Sequence, residues 1–289
     1  MDLSWNLPEF PEDSILESLV LSNTNFSGTL PRSIGNLKSL TELQLSGWRL
    51  SGVKPSSFNN LTQLVHLDLS SNNLSGKLPS MVRWRSILDV ILSNNMLTGS
   101  IASSLGNRML PNLTIIDLTN NSLTGTIPVP LFSLPSLQKL RLRQNQFSGH
   151  LEELSNPSST LSYVDLSNNE PQGPIPKSVF RLSRLKILSL ASNNFSGTVG
   201  LASIGNLRNL SYLDLSNNML SIIDGADNSS WVSFPNISIL RLVSCNLNRL
   251  PGFLRYQNGV SNLDLSMNRI AQVDMEYWEV QFRVLESFF

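Results

Sequence analysis

The chain has 289 residues, of which 40% are hydrophobic and 15% charged, and its 21 basic and 21 acidic side chains give a formal net charge of zero. This composition is typical of a folded protein. No basic cluster indicates nucleic-acid binding, and no apolar stretch is long enough to predict a membrane-spanning segment in this chain. The first residues also lack the basic start and apolar core of a secretory signal peptide.

One pattern recurs along the chain, and its complete form is Leu64-x-x-Leu67-x-Leu69-x-x-Asn72-x-Leu74-x-Gly76. The Asn72 position recurs every 23 to 27 residues, which gives about eleven repeats within residues 14–273. This period and consensus are typical of leucine-rich repeats. The positions equivalent to Asn72 are Thr24, Trp48, Asn72, Asn95, Asn121, Asn145, Asn169, Asn193, Asn218, Cys245 and Asn268.

Each repeat opens with a Leu-x-Leu alternation that predicts a short strand with its leucines on one side. The Asn that follows carries both donors and an acceptor, so it can satisfy backbone groups where the chain leaves the strand. Thr24 and Cys245 are expected to substitute for Asn in this ladder. Trp48 is expected to distort the ladder locally, with an exposed aromatic anchor for a ligand as the alternative.

The second half of each repeat reads Ser/Thr-Gly-x-Ile/Leu-Pro and is followed by an apolar triplet at spacing three, such as Phe58, Leu61 and Leu64. Gly permits a tight turn, and the triplet predicts a single 3₁₀ or α turn. Stacked repeats therefore predict a right-handed α/β solenoid, a horseshoe with a parallel concave β-sheet and short 3₁₀ or α turns on the convex side. We expect a single domain over residues 1–289, with a truncated repeat at 1–13 and an off-pattern tail at 274–289.

Catalytic motifs are not found in the sequence. The two histidines, His66 and His150, do not have the spacing of a metal pair or of a base beside a nucleophile. The single cysteine, Cys245, cannot form an internal disulfide. The chain is therefore not expected to be an enzyme or to bind a metal or a cofactor.

Candidate ligand contacts are the positions where the outward side of the sheet departs from its usual Asp, which stands at Asp68, Asp117, Asp165, Asp214 and Asp264. That Asp is interpreted as structural, although an acidic stripe attracting cations is the alternative. We hypothesise that Arg141 and Arg143 belong to a peptide- or protein-binding patch, since Arg is favoured at recognition surfaces. A cross-strand salt ladder with Asp117 and Asp165 is the competing interpretation. The candidates are Arg141, Arg143, Gln144, Arg241, Gln44 and Ile91.

The half-repeats at 27–31, 75–79, 124–128 and 173–176 resemble the plant extracellular subclass of leucine-rich repeats. Together with segments such as Thr24–Gly28, Leu134–Gln138, Ala191–Val199, Phe234–Leu240 and Ser244–Leu247, they are similar to the middle of the ectodomain of Verticillium-wilt resistance receptor-like proteins, over about residues 14–270. This resemblance implies a plant immune receptor at the plasma membrane that senses pathogen proteins or peptides and recruits kinase-bearing co-receptors. It also implies a signal peptide, a transmembrane helix and a short tail in the full-length protein, none of which this chain contains.

Nine Asn-x-Ser/Thr sequons favour passage through the secretory route and are candidate glycosylation sites. Two other functions remain open. A secreted inhibitor similar to plant polygalacturonase-inhibiting proteins is one, although such proteins have cysteine caps that this chain lacks; a non-functional product of a truncated gene is the other. The sequons are at Asn25, Asn60, Asn73, Asn112, Asn120, Asn194, Asn209, Asn228 and Asn236.

Overall fold

The computed structural model describes residues 6–24, 26–105, 110–158, 160–223 and 234–271. In these residues, each repeat contributes one strand to an eleven-stranded parallel sheet, and neighbouring strands come from consecutive repeats. This confirms the predicted solenoid and its concave sheet. The strands are β1 (Ser18–Val20), β3 (Glu42–Gln44), β5 (His66–Asp68), β7 (Asp89–Ile91), β9 (Ile115–Asp117), β11 (Lys139–Arg141), β13 (Tyr163–Asp165), β15 (Ile187–Ser189), β17 (Tyr212–Asp214), β19 (Ile239–Arg241) and β20 (Asn262–Asp264).

A second parallel sheet, which the sequence analysis did not predict, follows the Asn position of the repeats. Within the described ranges it has nine strands in repeat order. Its side chains alternate between buried and exposed, as Leu74 and Asn73 illustrate. The strands are β2 (Ser27–Gly28), β4 (Arg49–Val53), β6 (Asn73–Lys77), β8 (Met96–Gly99), β10 (Ser122–Gly125), β12 (Gln146–His150), β14 (Glu170–Gly173), β16 (Asn194–Gly200) and β18 (Met219–Ile223).

Short turns on the convex side replace longer helices, as the apolar triplets predicted. Each is about one turn long, and a backbone bond such as that from the Leu61 N–H to the Phe58 carbonyl closes it at 3.2 Å. The 3₁₀ turns are Arg32–Asn36, Ser56–Asn60, Val129–Ser133, Lys177–Arg181 and Gly252–Tyr256, and the α turns are α1 (Ala102–Leu105) and α2 (Leu201–Ile204).

The hydrophobic core runs the length of the coil between the concave sheet and these turns. Aromatic side chains, including Phe58, Trp84 and Phe132, are fully buried on the convex side. The rings of Phe58 and Trp84 meet edge to face with centroids 6.2 Å apart across two repeats. Because each repeat packs only against its neighbours, this core grows with repeat number without thickening.

The Asn ladder joins each repeat to the one before it. The amide nitrogen of Asn72 donates to the carbonyls of Leu69 and Ser70 in its own repeat and to that of Leu45 in the previous repeat, at 3.1, 3.1 and 2.9 Å. Its Oδ1 accepts the N–H of Leu50 in the previous repeat at 3.1 Å. Asn95, Asn145 and Asn193 donate to the equivalent carbonyls. One amide thus satisfies backbone groups in two repeats at once.

The residue before the ladder position has a positive φ, which turns the chain away from the strand. It is Ser71 (φ 56°) before Asn72 and Gly47 (φ 72°) before Trp48. Asn, Ser and Gly suit this left-handed geometry, and Gln144 (φ 55°) also adopts it. The position of Gln144, one of the candidate ligand contacts, is therefore fixed by backbone geometry.

The three substitutes in the ladder all keep its donor function. Thr24 donates its hydroxyl to the Leu21 carbonyl at 3.0 Å, and the Cys245 thiol contacts the Leu215 carbonyl at 3.5 Å. The indole N–H of Trp48 also donates to the Leu21 carbonyl, which corresponds to the carbonyl that Asn72 reaches in its previous repeat. Both expectations for Trp48 were wrong. Strand β4 continues in register on either side, and the ring is 2% exposed and stacks on Phe26.

The two ends are described in part. At the N-terminal end, Leu7 lies in the core, the Phe10 N–H donates to Ser33 Oγ, and the Phe10 carbonyl accepts from Asn36. The tail at 274–289 lies outside the described residues.

Candidate ligand-binding face

The aspartates of the concave sheet hold its outgoing turns. The Oδ1 atoms of Asp68, Asp117, Asp165, Asp214 and Asp264 each accept the backbone N–H two residues later, at 2.9 to 3.1 Å. This local bond is an Asx turn, for which Asp is well suited. The described residues contain no group of three or more His, Cys, Asp or Glu side chains that could hold a metal ion. The geometry therefore supports the structural interpretation of these aspartates.

An alternation of charge runs across seven neighbouring strands, β9 to β20, at the last position of each strand. Strand pairing places these residues side by side in register. Acids alternate with Arg or Ser along the row. We call this row the acid–base column, and it consists of Asp117, Arg141, Asp165, Ser189, Asp214, Arg241 and Asp264.

The two neighbouring arginines at β11 differ in their environment. Arg141 donates from Nη1 to Asp117 Oδ2 at 3.2 Å, and its guanidinium carbon lies 4.7 Å from the centroid of the Tyr163 ring. The guanidinium of Arg143 is exposed and makes no hydrogen bond or ion pair within the described part of the chain. The salt-ladder contact is thus present at Arg141, while Arg143 is free to contact a ligand.

A groove on the second half of the concave face brings several candidates together. It has a volume of about 530 Å³ and reaches from Arg143 to Asp264. Its floor is formed by small side chains such as Ser189 and Ala191, with Tyr212 and Arg241 beside them. Arg241 Nε lies 3.5 Å from Asn262 Oδ1, and its guanidinium carbon is 6.0 Å from the Tyr212 ring centroid.

Electrostatics in the groove are shared between acids and bases. Burial raises the pKa of the Tyr212 hydroxyl, the carboxylates of Asp214 and Asp165 raise it further, and Arg241 opposes them. A phenol influenced by two carboxylates and a guanidinium shows that these charges converge on one region of the concave face.

The other candidates lie apart from this groove. Gln44 donates to Glu42 Oε1 at 2.8 Å on β3, and Ile91 lies half-buried on β7. Eight strand spacings separate β3 from β19, which is about 38 Å at about 4.8 Å per strand. The six candidates therefore do not form one small site, and only Arg143 and Arg241 line the groove.

The histidines form no catalytic arrangement. His66 Nδ1 lies 2.8 Å from Asp89 Oδ2 on the first half of the concave face, and Asp89 also accepts from Thr114. His150 is exposed at the end of β12 in the second sheet. As for membranes, the described helices are single turns, and none is long and apolar enough to cross a bilayer.

Ser189, Ala191 and Tyr212 line the groove but were not among the sequence candidates. A signal was present: the eighth repeat reads Leu188-Ser189-Leu190-Ala191 where most repeats have Leu-Asp-Leu-Ser. Small residues at two outward positions create a depression, and a search limited to large or charged departures overlooked them.

Comparison with known proteins places these features in a family. The sequence model of the leucine-rich repeat region matches residues 14–221. Receptor-like protein 49 of Arabidopsis thaliana is 49% identical over 179 residues, which cover 59% of this chain and 20% of that protein. Receptor like protein 24 of the same plant is 36% identical over 185 residues, which cover 56% of this chain and 21% of that protein.

Among solved structures, the Arabidopsis receptor kinase HAESA, in complex with the peptide hormone IDA and the co-receptor SERK1, superimposes with a TM-score of 0.81 at 33% identity. The match covers 91% of this chain and 44% of that one, and the chain spans only about a fifth of the two receptor-like relatives. The chain belongs to the leucine-rich repeat family, and it resembles the ectodomains of plant receptor-like proteins and peptide-hormone receptors.

Proposed function

We propose that this chain is the ligand-recognition part of a plant cell-surface immune receptor-like protein, and that it binds a pathogen-derived or endogenous protein or peptide on its concave face. The observation that carries this proposal is the groove between Arg143 and Asp264, in which unpaired charges and an aromatic ring lie on a rigid parallel sheet. Binding sites are favoured where polar groups converge in a preformed depression. HAESA, a structural neighbour, holds a peptide hormone in its complex, which supports a peptide as ligand here.

The described sequons are consistent with an extracellular location. All seven, at Asn60, Asn73, Asn112, Asn120, Asn194, Asn209 and Asn236, are exposed, and none lies in a strand of the concave sheet. We propose that they carry glycans, which would leave the concave face clear. Asn25 and Asn228 lie outside the described residues. Mass spectrometry of protein from plant tissue tests this, and unmodified sites throughout would contradict it.

Peptide binding can be tested with a phage-displayed library of random dodecapeptides selected on the 289-residue chain. Peptides that bind are then measured against an Arg143→Ala/Tyr212→Ala variant of the groove. A matched control, Gln146→Ala/Gln172→Ala, changes two exposed side chains of the second sheet in nearby repeats. We expect the groove variant to weaken binding by about tenfold or more and the control to leave it unchanged. Failure to select any peptide, or equal losses in both variants, would overturn the proposal.

The immune role and the co-receptor are separate parts of the proposal. They are supported by the similarity to wilt-resistance proteins over about residues 14–270 and by the receptor-like relatives. The chain is proposed to act as one domain that recruits a kinase-bearing co-receptor after ligand binding. The probes are the secreted proteins of a vascular wilt fungus and apoplastic fluid from healthy plants. Binding of fungal proteins, lost in the groove variant, supports a pathogen ligand; binding of the plant fraction alone supports an endogenous one and contradicts pathogen sensing.

A further inference from the structure

The acid–base column has one interval that differs from its neighbours. Arg141 stands between Asp117 and Asp165, and Arg241 stands between Asp214 and Asp264. Ser189 occupies the corresponding place between Asp165 and Asp214, since β15 pairs in register with β13 and β17. The two outer intervals thus contain their own cation, whereas the middle interval contains none.

The polar groups around Ser189 are buried and incompletely satisfied. Ser189 and Asp214 are each 7% exposed. Within the described part of the chain the Ser189 hydroxyl has no hydrogen-bond partner, and Asp214 uses only Oδ1, which accepts the Ser216 N–H. Asp165 likewise uses only Oδ1, for the N–H and hydroxyl of Ser167. Two carboxylate oxygens and one hydroxyl therefore line the groove without partners, an arrangement that is unfavourable until a donor arrives.

The space and geometry suit a planar cation. Ala191, two residues after Ser189, keeps the depression open, and the Tyr212 ring lies beside it. Two strand spacings separate Asp165 from Asp214, which is about 9.6 Å between their backbones. A guanidinium has five donors in a fixed fork, so it can bridge two carboxylates, whereas an ammonium is a more compact charge. A divalent metal is less suited, because the described residues offer it no group of three acidic, His or Cys ligands.

We propose that the groove binds an arginine side chain of an extended peptide ligand at Ser189, with its guanidinium bridging Asp165 and Asp214. The ligand thereby completes the alternation of acid and base that Arg141 and Arg241 complete on either side. This inference rests on the proposed function and names the chemistry of the ligand at that same site.

The first test uses synthetic dodecapeptide libraries in which one central residue is fixed as Arg, Lys, citrulline or Glu and the others are random. Citrulline has the shape of Arg without its charge. We expect the Arg library to bind about tenfold more tightly than the citrulline library. Ser189→Arg should remove this preference by filling the site from within, and Asp165→Asn/Asp214→Asn should remove it by neutralising the carboxylates. Ser46→Arg is the matched control, because Ser46 lies on the same face in the second repeat, outside the groove.

The second test needs no ligand. At low salt, Ser189→Arg should raise the Tm by roughly 2 °C and Ser189→Glu should lower it, with both shifts reduced at high salt. Ser46→Arg should leave the Tm unchanged. A Ser189→Arg variant that is less stable than the unmodified chain would show that the interval does not accept a cation, and the inference would be wrong.

The outcomes separate this inference from the proposed function. If groove-dependent peptides bind equally well with Arg and with citrulline, the Arg site is excluded while peptide recognition stands. If no library binds, the proposed function fails and the inference fails with it. Calcium binding that depends on Asp165 and Asp214 would overturn the inference alone, since the cation would then be a metal ion.

Discussion

The Asn ladder and the acid–base column both run along the coil and both depart from their consensus, but they treat the departures differently. In the ladder, Thr24, Trp48 and Cys245 each supply a donor to a backbone carbonyl that Asn would otherwise reach. In the column, Ser189 replaces a charged residue and leaves neighbouring carboxylate oxygens without partners. Compensated departures indicate selection for stability, and an uncompensated one indicates a site that something else completes.

The largest expected effect is in the ladder itself. Asn72→Ala removes three donated bonds and one accepted bond at a position that is 6% exposed. We expect the free energy of unfolding to fall by about 3 kcal/mol, because buried backbone groups in two repeats lose their partners. Urea unfolding, with amide exchange at Leu50 as the local readout, measures this. Asn73→Ala, at the exposed neighbouring position, should cost little, and equal costs would contradict the role of the ladder.

A smaller effect is expected at Trp48, where it tests whether the substitution is compensated. Trp48→Phe keeps an aromatic ring for stacking on Phe26 but removes the N–H that bonds to the Leu21 carbonyl. Trp84→Phe is the matched control, since the buried Trp84 indole N–H has no partner in the described structure. Both variants lose ring volume, so the hydrogen bond accounts for the difference, which we expect to be about 1 kcal/mol greater at Trp48. No difference in thermal unfolding would mean that Trp48 fills space only.

Cys245 gives the ladder a dependence on pH. Burial, and then the charge of Asp214, raise the pKa of its thiol from 9.0 to about 12. Above about pH 9 the unfolded thiol ionises while the folded one stays protonated, so stability falls as pH rises, by up to about 1.4 kcal/mol per pH unit. Urea unfolding at about pH 8 and about pH 10 should show a steeper loss for the unmodified chain than for Cys245→Ser. Parallel losses would exclude the thiol as the cause.

The smallest expected effect separates the two arginines of β11. Arg141→Met removes the ion pair with Asp117 and the contact with Tyr163, and it should cost about 0.5–1 kcal/mol at low salt. Arg143→Met removes a guanidinium that has no partner in the described residues, so stability should not change. Peptide binding should show the reverse order of sensitivity. If both variants are equally destabilised, Arg143 has a structural contact in solution.

The repeat spacing was sufficient to predict the concave sheet, the convex turns and the ladder, because each depends on side-chain periodicity within one repeat. The second sheet was missed since its strands, such as Asn73–Lys77, need a partner in the next repeat and carry no distinct hydrophobic period. Trp48 was misjudged for a related reason. Its donor role depends on the distance to Leu21 in the previous repeat, which no local pattern encodes.

The candidate site was predicted less completely. Arg143 and Arg241 were identified because charged departures from the usual Asp are visible in the sequence. Ser189 and Ala191 were not, because small residues matter only through the space they leave between larger neighbours on β13 and β17. Arg141 and Arg143 could not be told apart until the bond to Asp117 was seen.

The bonds of the ladder all point the same way along the chain, and this gives the coil a direction of assembly. Asn72 bonds back to Leu45 and Leu50, and Asn145 bonds back to Leu118 and Leu123, so each turn of backbone is completed by the repeat that follows it. During synthesis from the N-terminus, a newly made repeat therefore finishes its predecessor while its own carbonyls and N–H groups wait for the next. The coil grows like a zipper closed from one end, and the most recently made repeat is always its least protected part.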